Sequence, residues 1–280
     1  MTDMEFVRTE ELEPGMVLVT IDRQDRMNAL GPPVLSELHR TFDDIGADPA
    51  VRVVILTGAG KAFSSGADVK GGGPPGADGG SVAGNLLGRV DGHVSRMFLS
   101  QEHMAGLFEK VHRLRQPVIA AVNGPAVGGG FALALACDIR VAVPEARFGA
   151  IFISRGVSAC DMGTSYLLPR LVGAARSAEL MLTGRVFGAD EAREMSLVLD
   201  VVEPARLVER CLETARLIAG NSALAVWMTK EVMWQTIDSP SMRHALDLEN
   251  RTQIMCSATG ELDEAFAAFR EKRRPEWQPL

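Results

Sequence analysis

Lys61-Ala62-Phe63-Ser64-Ser65-Gly66-Ala67-Asp68-Val69-Lys70 and Asn123-Gly124-Pro125-Ala126-Val127-Gly128-Gly129-Gly130 each follow a short apolar run that reads as a strand. Two glycine-marked turns at the ends of two strands can aim two backbone N–H groups at one oxygen. That arrangement is an oxyanion hole, suited to a carbonyl that gains enolate character. A single glycine cluster after a strand is an ordinary loop signal. The pair, with the residues around it, is far more specific.

Working outward, Met16–Ile21, Val51–Thr57, Val118–Val122 and Ile139–Val143 are rich in branched residues and bounded by turn signals, so each is expected to be a strand. Helical periodicity is expected over about 33–44, 97–115 and 129–137, which gives the strand–helix alternation of an α/β fold. From Ala189 onward helices dominate, with one further strand expected at Leu197–Val202. The segment from Pro204 to the end reads as amphipathic helices that must bury their apolar faces on the core or on another subunit. Gly71–Gly80 is the one low-complexity stretch, a Gly/Pro-rich loop placed directly after the first turn and expected to cover it.

The 280 residues are 46% hydrophobic, enough for a large packed core, and carry a net charge of −7. This balance argues against a nucleic-acid surface. Against it stands the basic run Arg270-Glu271-Lys272-Arg273-Arg274, which fits either a helix end complementing its dipole or a phosphate contact. Cys137, Cys160, Cys211 and Cys256 have no metal-type spacing and are read as reduced thiols of a cytoplasmic protein. No membrane segment is expected: the most apolar stretch, Val118–Ala136, is interrupted by Asn123, Pro125 and several glycines.

Three blocks, Arg26-Met27-Asn28-Ala29-Leu30, the Ala62–Lys70 turn, and Asn123–Gly130 followed by Ala136-Cys137-Asp138, resemble the crotonase superfamily of enoyl-CoA hydratases and isomerases in kind, order and separation. The resemblance covers nearly the whole chain and implies a crotonase (ClpP-like) spiral of ββα units. It also implies a core over residues 1–203 carrying the acyl-CoA site, and a helical region over 204–280 serving assembly and lid. The expected assembly is a homotrimer or dimer of trimers. The ligand it implies is a coenzyme A thioester, with coenzyme A part of the substrate and no separate cofactor. By position, the N–H groups of Ala67 and Gly129 are the implied oxyanion donors. Arg26, Ala67, Asp68, Val69, Lys70 and Gly129 are implied to line the coenzyme A path, with Lys272 reaching the phosphates from this subunit or a neighbouring one. The side chains of Asp68, Asn28, Asn123 and Asp138 read as structural, because short polar side chains beside turns bond to neighbouring backbone.

The chain departs from the family where hydration needs its two glutamates: those positions hold Ala132 and Phe152, neither of which transfers a proton. Asp161, eight residues before Pro169, instead matches the acid of family members that move double bonds. One carboxylate suffices for that chemistry, and burial by Ile151, Phe152 and Met162 is expected to raise its pKa. The alternative for Asp161 is an N-cap on a helix starting near Met162. Isomerisation is the favoured activity; a hydratase with a displaced acid and a catalytically silent acyl-CoA binder are the rivals.

Overall fold

The computed structural model describes residues 4–68, 90 and 92–280. The chain opens with β1 (Val7–Glu13) antiparallel to β2 (Met16–Ile21). Then come α1 (Pro32–Ala47), β3 (Val53–Gly58), α2 (His93–Arg113), β4 (Val118–Val122), β5 (Ala126–Val127) and α3 (Gly129–Ala136). They are followed by β6 (Ile139–Ala142), β7 (Arg147–Gly149), α4 (Thr164–Val172), α5 (Ala174–Thr183), β8 (Phe187–Gly188), α6 (Ala189–Glu194) and β9 (Asp200–Val201). Four helices close the chain: α7 (Leu207–Ala219), α8 (Ala223–Thr236), α9 (Met242–Ser257) and α10 (Glu261–Glu271).

The main sheet has the order β1-β2-β3-β4-β6-β9, parallel from β2 onward, and β5-β7-β8 form a smaller sheet. Every residue of β3 and β4 is buried, which is why these strands read as continuous apolar runs rather than alternating ones. α1 starts at Pro32, where a missing N–H costs nothing, and buries Val34, Leu35, Leu38, Phe42 and Ile45. Each such side chain stabilises the fold by about 2 kcal/mol. α3 is apolar on all sides and wholly buried, as the hydrophobicity of Phe131–Ala136 demands.

The expected strands at 16–21, 51–57, 118–122 and 139–143 are present within a residue or two, and the three helices lie where their periodicity places them. Two elements differ. The strand expected over Leu197–Val202 shrinks to Asp200–Val201; Leu197 and Val198 are buried, but Leu197 donates to Ala192 O in a turn, and its carbonyl accepts from Arg140 Nε. β1 had no clear signal because it is an edge strand dominated by exposed acids and Arg8, the composition that keeps an edge from pairing with other chains. The Gly71–Gly80 loop lies outside the described residues.

Candidate active site

The two glycine turns meet. Ser64 N–H donates to Pro125 O and Val127 N–H to Ser64 O, at 3.1 Å each, joining the first turn to the second as a short parallel bridge. Gly66 has φ +82°, and a Cβ there would stand 2.7 Å from Val127 O and 2.9 Å from Gly129 N. A Cβ on Gly130 would lie 2.1 Å from Ser64 O, so the backbone crossing leaves no room for a side chain at either position. Ala67 follows directly, tied to the first block by the Leu30–Ala67 bridge, in which Leu30 N–H donates to Gly66 O at 2.7 Å. This geometry sets Ala67 and Gly129 side by side. The backbone N–H groups of both find no acceptor among the described residues. Gly129 opens α3, so its N–H is one of the helix's unsatisfied donors at the positive end of the dipole.

The polar residues read as structural act that way. Asn28, fully buried with φ +56°, accepts from Arg23 N–H and donates to Ala59 O and Ala62 O. Asn123 donates to Gly60 O and Ala62 O and accepts from Gly58 N–H. Asp138 accepts from Val118 N–H and pairs with the buried Lys230 at 2.7 Å. Asp68 forms an ion pair with Arg23 at 2.8 Å, which clamps the first turn to the segment before α1.

Arg26 stands at the end of a 3-10 turn beside the first glycine turn: Ser65 Oγ donates to its carbonyl at 3.2 Å, and its half-exposed guanidinium pairs loosely with the exposed Asp25 at 3.6 Å. Lys272 is the C-terminal cap of α10, in left-handed conformation, on a helix that packs against α9. Neighbouring Arg273 pairs with Glu264 and Glu271. Val69 and Lys70 lie outside the described residues.

Asp161 is not a helix cap. α4 begins at Thr164 with Gly163 as its N-cap and no side-chain capping bond. Instead Asp161 Oδ1 accepts from Met162 N–H at 2.8 Å and from Gln101 Nε2 at 2.5 Å, while Oδ2 forms no hydrogen bond or ion pair among the described residues. Burial raises its carboxyl above the ordinary carboxylate range, against the opposing pull of those two donors. The link to the oxyanion turns is Met162, buried with φ +49°, whose sulfur would lie 3.3 Å from a Cβ on Gly129. Ala132 and Phe152 are both buried, and Phe152 Cε1 would lie 4.0 Å from a Cβ on Gly128. Apolar groups therefore occupy the two positions at which the family resemblance implies the hydratase glutamates.

A cavity of about 480 Å³ extends from Met162 between α2 and α4, lined by Gly106, Phe108, His112, Tyr166 and Leu167 among others. Of the stretch from Gly71 to Met104, residue 90 and the residues from 92 on are described. Sequence reasoning missed Gln101, because nothing local to α2 signals a partner 60 residues away. His103 stacks on His39, and His112 meets the Trp234 edge, with burial lowering the pKa of all three histidines. Tyr166 donates to Asp238 rather than to Asp161. Among the described residues no cluster of three or more His, Cys, Asp or Glu side chains is placed to hold a metal ion, and no helix is long and apolar enough to cross a membrane.

Residues 11–279 match the family model of the enoyl-CoA hydratase/isomerase family. The chain is 38% identical to a "Probable enoyl-CoA hydratase" of Mycobacterium bovis, over 96% of this chain and 92% of that one. A probable enoyl-CoA hydratase/isomerase from Mycobacterium abscessus superposes with a TM-score of 0.86 at 37% identity, covering 98% of this chain and 99% of the other. A monofunctional enoyl-CoA isomerase from Mycobacterium smegmatis superposes with a TM-score of 0.69 at 37% identity, over 86% and 98%. The chain belongs to the enoyl-CoA hydratase/isomerase family of the crotonase superfamily and is an acyl-CoA enzyme with the crotonase fold.

Proposed function

We propose that this enzyme moves a double bond along an enoyl-CoA thioester, with Asp161 as its single proton shuttle and the N–H groups of Ala67 and Gly129 as oxyanion donors. The observation that carries the reading is the juxtaposition of two backbone donors with a part-buried carboxylate, the donors and the second carboxylate oxygen all lacking a partner among the described residues. Asp161 takes a proton from the carbon next to the thioester. The C–H electron pair passes into a dienolate whose oxygen lies against the two donors. Return of the same proton at the far end of the conjugated system forms the new C–H bond and restores the carboxylate. Preorganised donors of this kind lower such a barrier by about 3 kcal/mol each.

Apolar side chains at 132 and 152 support this reading over hydration, since water would find no carboxylate pair to hold and activate it. Arg26, beside the first turn, is assigned to the coenzyme A phosphates; Lys70 and Lys272 belong to the same proposal. The assembly proposed is a homotrimer or dimer of trimers, built through the C-terminal helices. Of these, α9 buries no residue in the single chain, and Phe269 of α10 is 83% exposed.

The test is product mass. A 3-enoyl-CoA substrate is expected to be converted without mass change, and Asp161→Asn to abolish the conversion. Gain of one water, or full turnover by Asp161→Asn, would overturn the reading.

A further inference from the structure

We propose that Gln101 is a positioning residue for the Asp161 carboxylate: its amide fixes one oxygen and leaves the other to carry the proton. The inference rests on the reading of Asp161 as the base. A carboxylate tied only to the N–H of the next residue remains free to swing about its own side-chain torsions. Here a second donor arrives from α2, and both bonds fall on Oδ1, at 2.5 Å from Gln101 and 2.8 Å from Met162. Two directions of restraint on one oxygen leave Oδ2 without a partner among the described residues, and a single-base isomerisation needs one such atom able to reach two carbons.

The chemical type of the partner matters. A guanidinium or ammonium in this position would hold the carboxylate equally well but depress its pKa by about 1 to 3 units and weaken it as a base. A neutral amide orients without neutralising. The remaining ionisable groups around Asp161 are otherwise engaged or exposed. On α2, Glu109 pairs with Arg113, and His112 packs on Trp234; Glu102 is exposed. Arg155 is exposed on the 3-10 turn Ile153–Arg155, Cys160 is exposed beside Asp161, and on α4 Tyr166 and Arg170 both bond to Asp238. None forms an ion pair with Asp161 among the described residues, so the two Oδ1 donors are the groups set to tune it. Gln101 is itself exposed, one turn before the buried Met104, where packing does not require an amide.

The test combines two readouts on the full-length chain. The Asp161 carboxyl carbon, identified in 13C NMR by its disappearance in Asp161→Asn, is titrated in the native chain, Gln101→Ala and Gln101→Glu. Loss of a hydrogen bond to the charged form should raise the midpoint by about one pH unit in Gln101→Ala. It should rise further in Gln101→Glu, where two adjacent carboxyls share one proton. With 3-enoyl-CoA, Gln101→Ala should lower kcat about tenfold with KM within about twofold, because orientation rather than binding is lost. The acidic limb of its kcat/KM profile should move with the NMR midpoint. Unmoved midpoints in both variants would overturn the inference, whatever the activity. If Asp161→Asn kept full turnover while the midpoints moved, the base assignment would fall and the Gln101–Asp161 coupling would stand.

Discussion

The two glycine turns and the Gly156–Thr164 segment above them both present short polar side chains, yet they use them in opposite ways. In the turns, Asn28, Asn123, Asp68 and Asp138 all bond to backbone or to a buried or half-buried cation. The N–H groups of Ala67 and Gly129, by contrast, are main-chain donors without an acceptor among the described residues. In the upper segment part of the backbone is locally bonded, and a side-chain oxygen, Oδ2 of Asp161, has no partner among the described residues. One side of the site therefore contributes fixed backbone dipoles and the other contributes the side chain that must change protonation. This division suits a reaction in which charge appears on one fixed oxygen while a proton travels.

The sharpest way to break this comparison is Asp161→Asn, expected to lower turnover about 10³-fold with acyl-CoA binding retained, as measured by steady-state kinetics and calorimetry. Its stability effect has a definite sign. An acid whose folded pKa lies above its unfolded value costs stability wherever it is ionised in both states, so Asp161→Asn should melt no lower than the native chain at pH 7. A lower Tm would mean that Asp161 belongs with the structural polar residues. For the native enzyme the same raised pKa predicts activity that is full at neutral pH and is lost as pH falls through a midpoint above the ordinary carboxylate range.

Next in size is Gly66→Ala. A methyl group 2.7 Å from Val127 O, on a backbone with φ +82°, should displace the first turn and lower turnover about 10²-fold. It should also cost more than about 2 kcal/mol of stability in urea unfolding. Asp138→Ala should do the reverse: it strands Lys230 and Val118 N–H and costs about 3 kcal/mol in the same assay, with turnover per folded molecule unchanged. The smallest effect is expected from Arg26→Ala, a rise in KM for the thioester of about fivefold with kcat preserved, since a half-exposed guanidinium contributes about 1 kcal/mol to an anion contact. A fall in kcat instead, with KM unchanged, would overturn the assignment of the Arg26 side chain to phosphate binding, because the carbonyl that Ser65 Oγ bonds is main chain and survives the substitution.

Much of this was legible in the chain because it is written locally. Continuous apolar runs mark strands buried on both faces, as at Val118–Val122, and glycine clusters after them mark turns that no side chain can enter. Ala132 and Phe152 stand where the family resemblance implies the two hydratase glutamates, and Asp161, by its spacing from Pro169, where it implies the acid of members that move double bonds. Tertiary structure decided the rest, because those facts depend on segments far apart in sequence. It showed that the 61–67 and 123–130 turns cross within van der Waals contact, that the N–H groups of Ala67 and Gly129 have no acceptor among the described residues, and that Asp161 is no cap. It also brought Gln101 to Asp161 across 60 residues of chain, a pairing that no local pattern encodes because a hydrogen bond between side chains needs only spatial proximity.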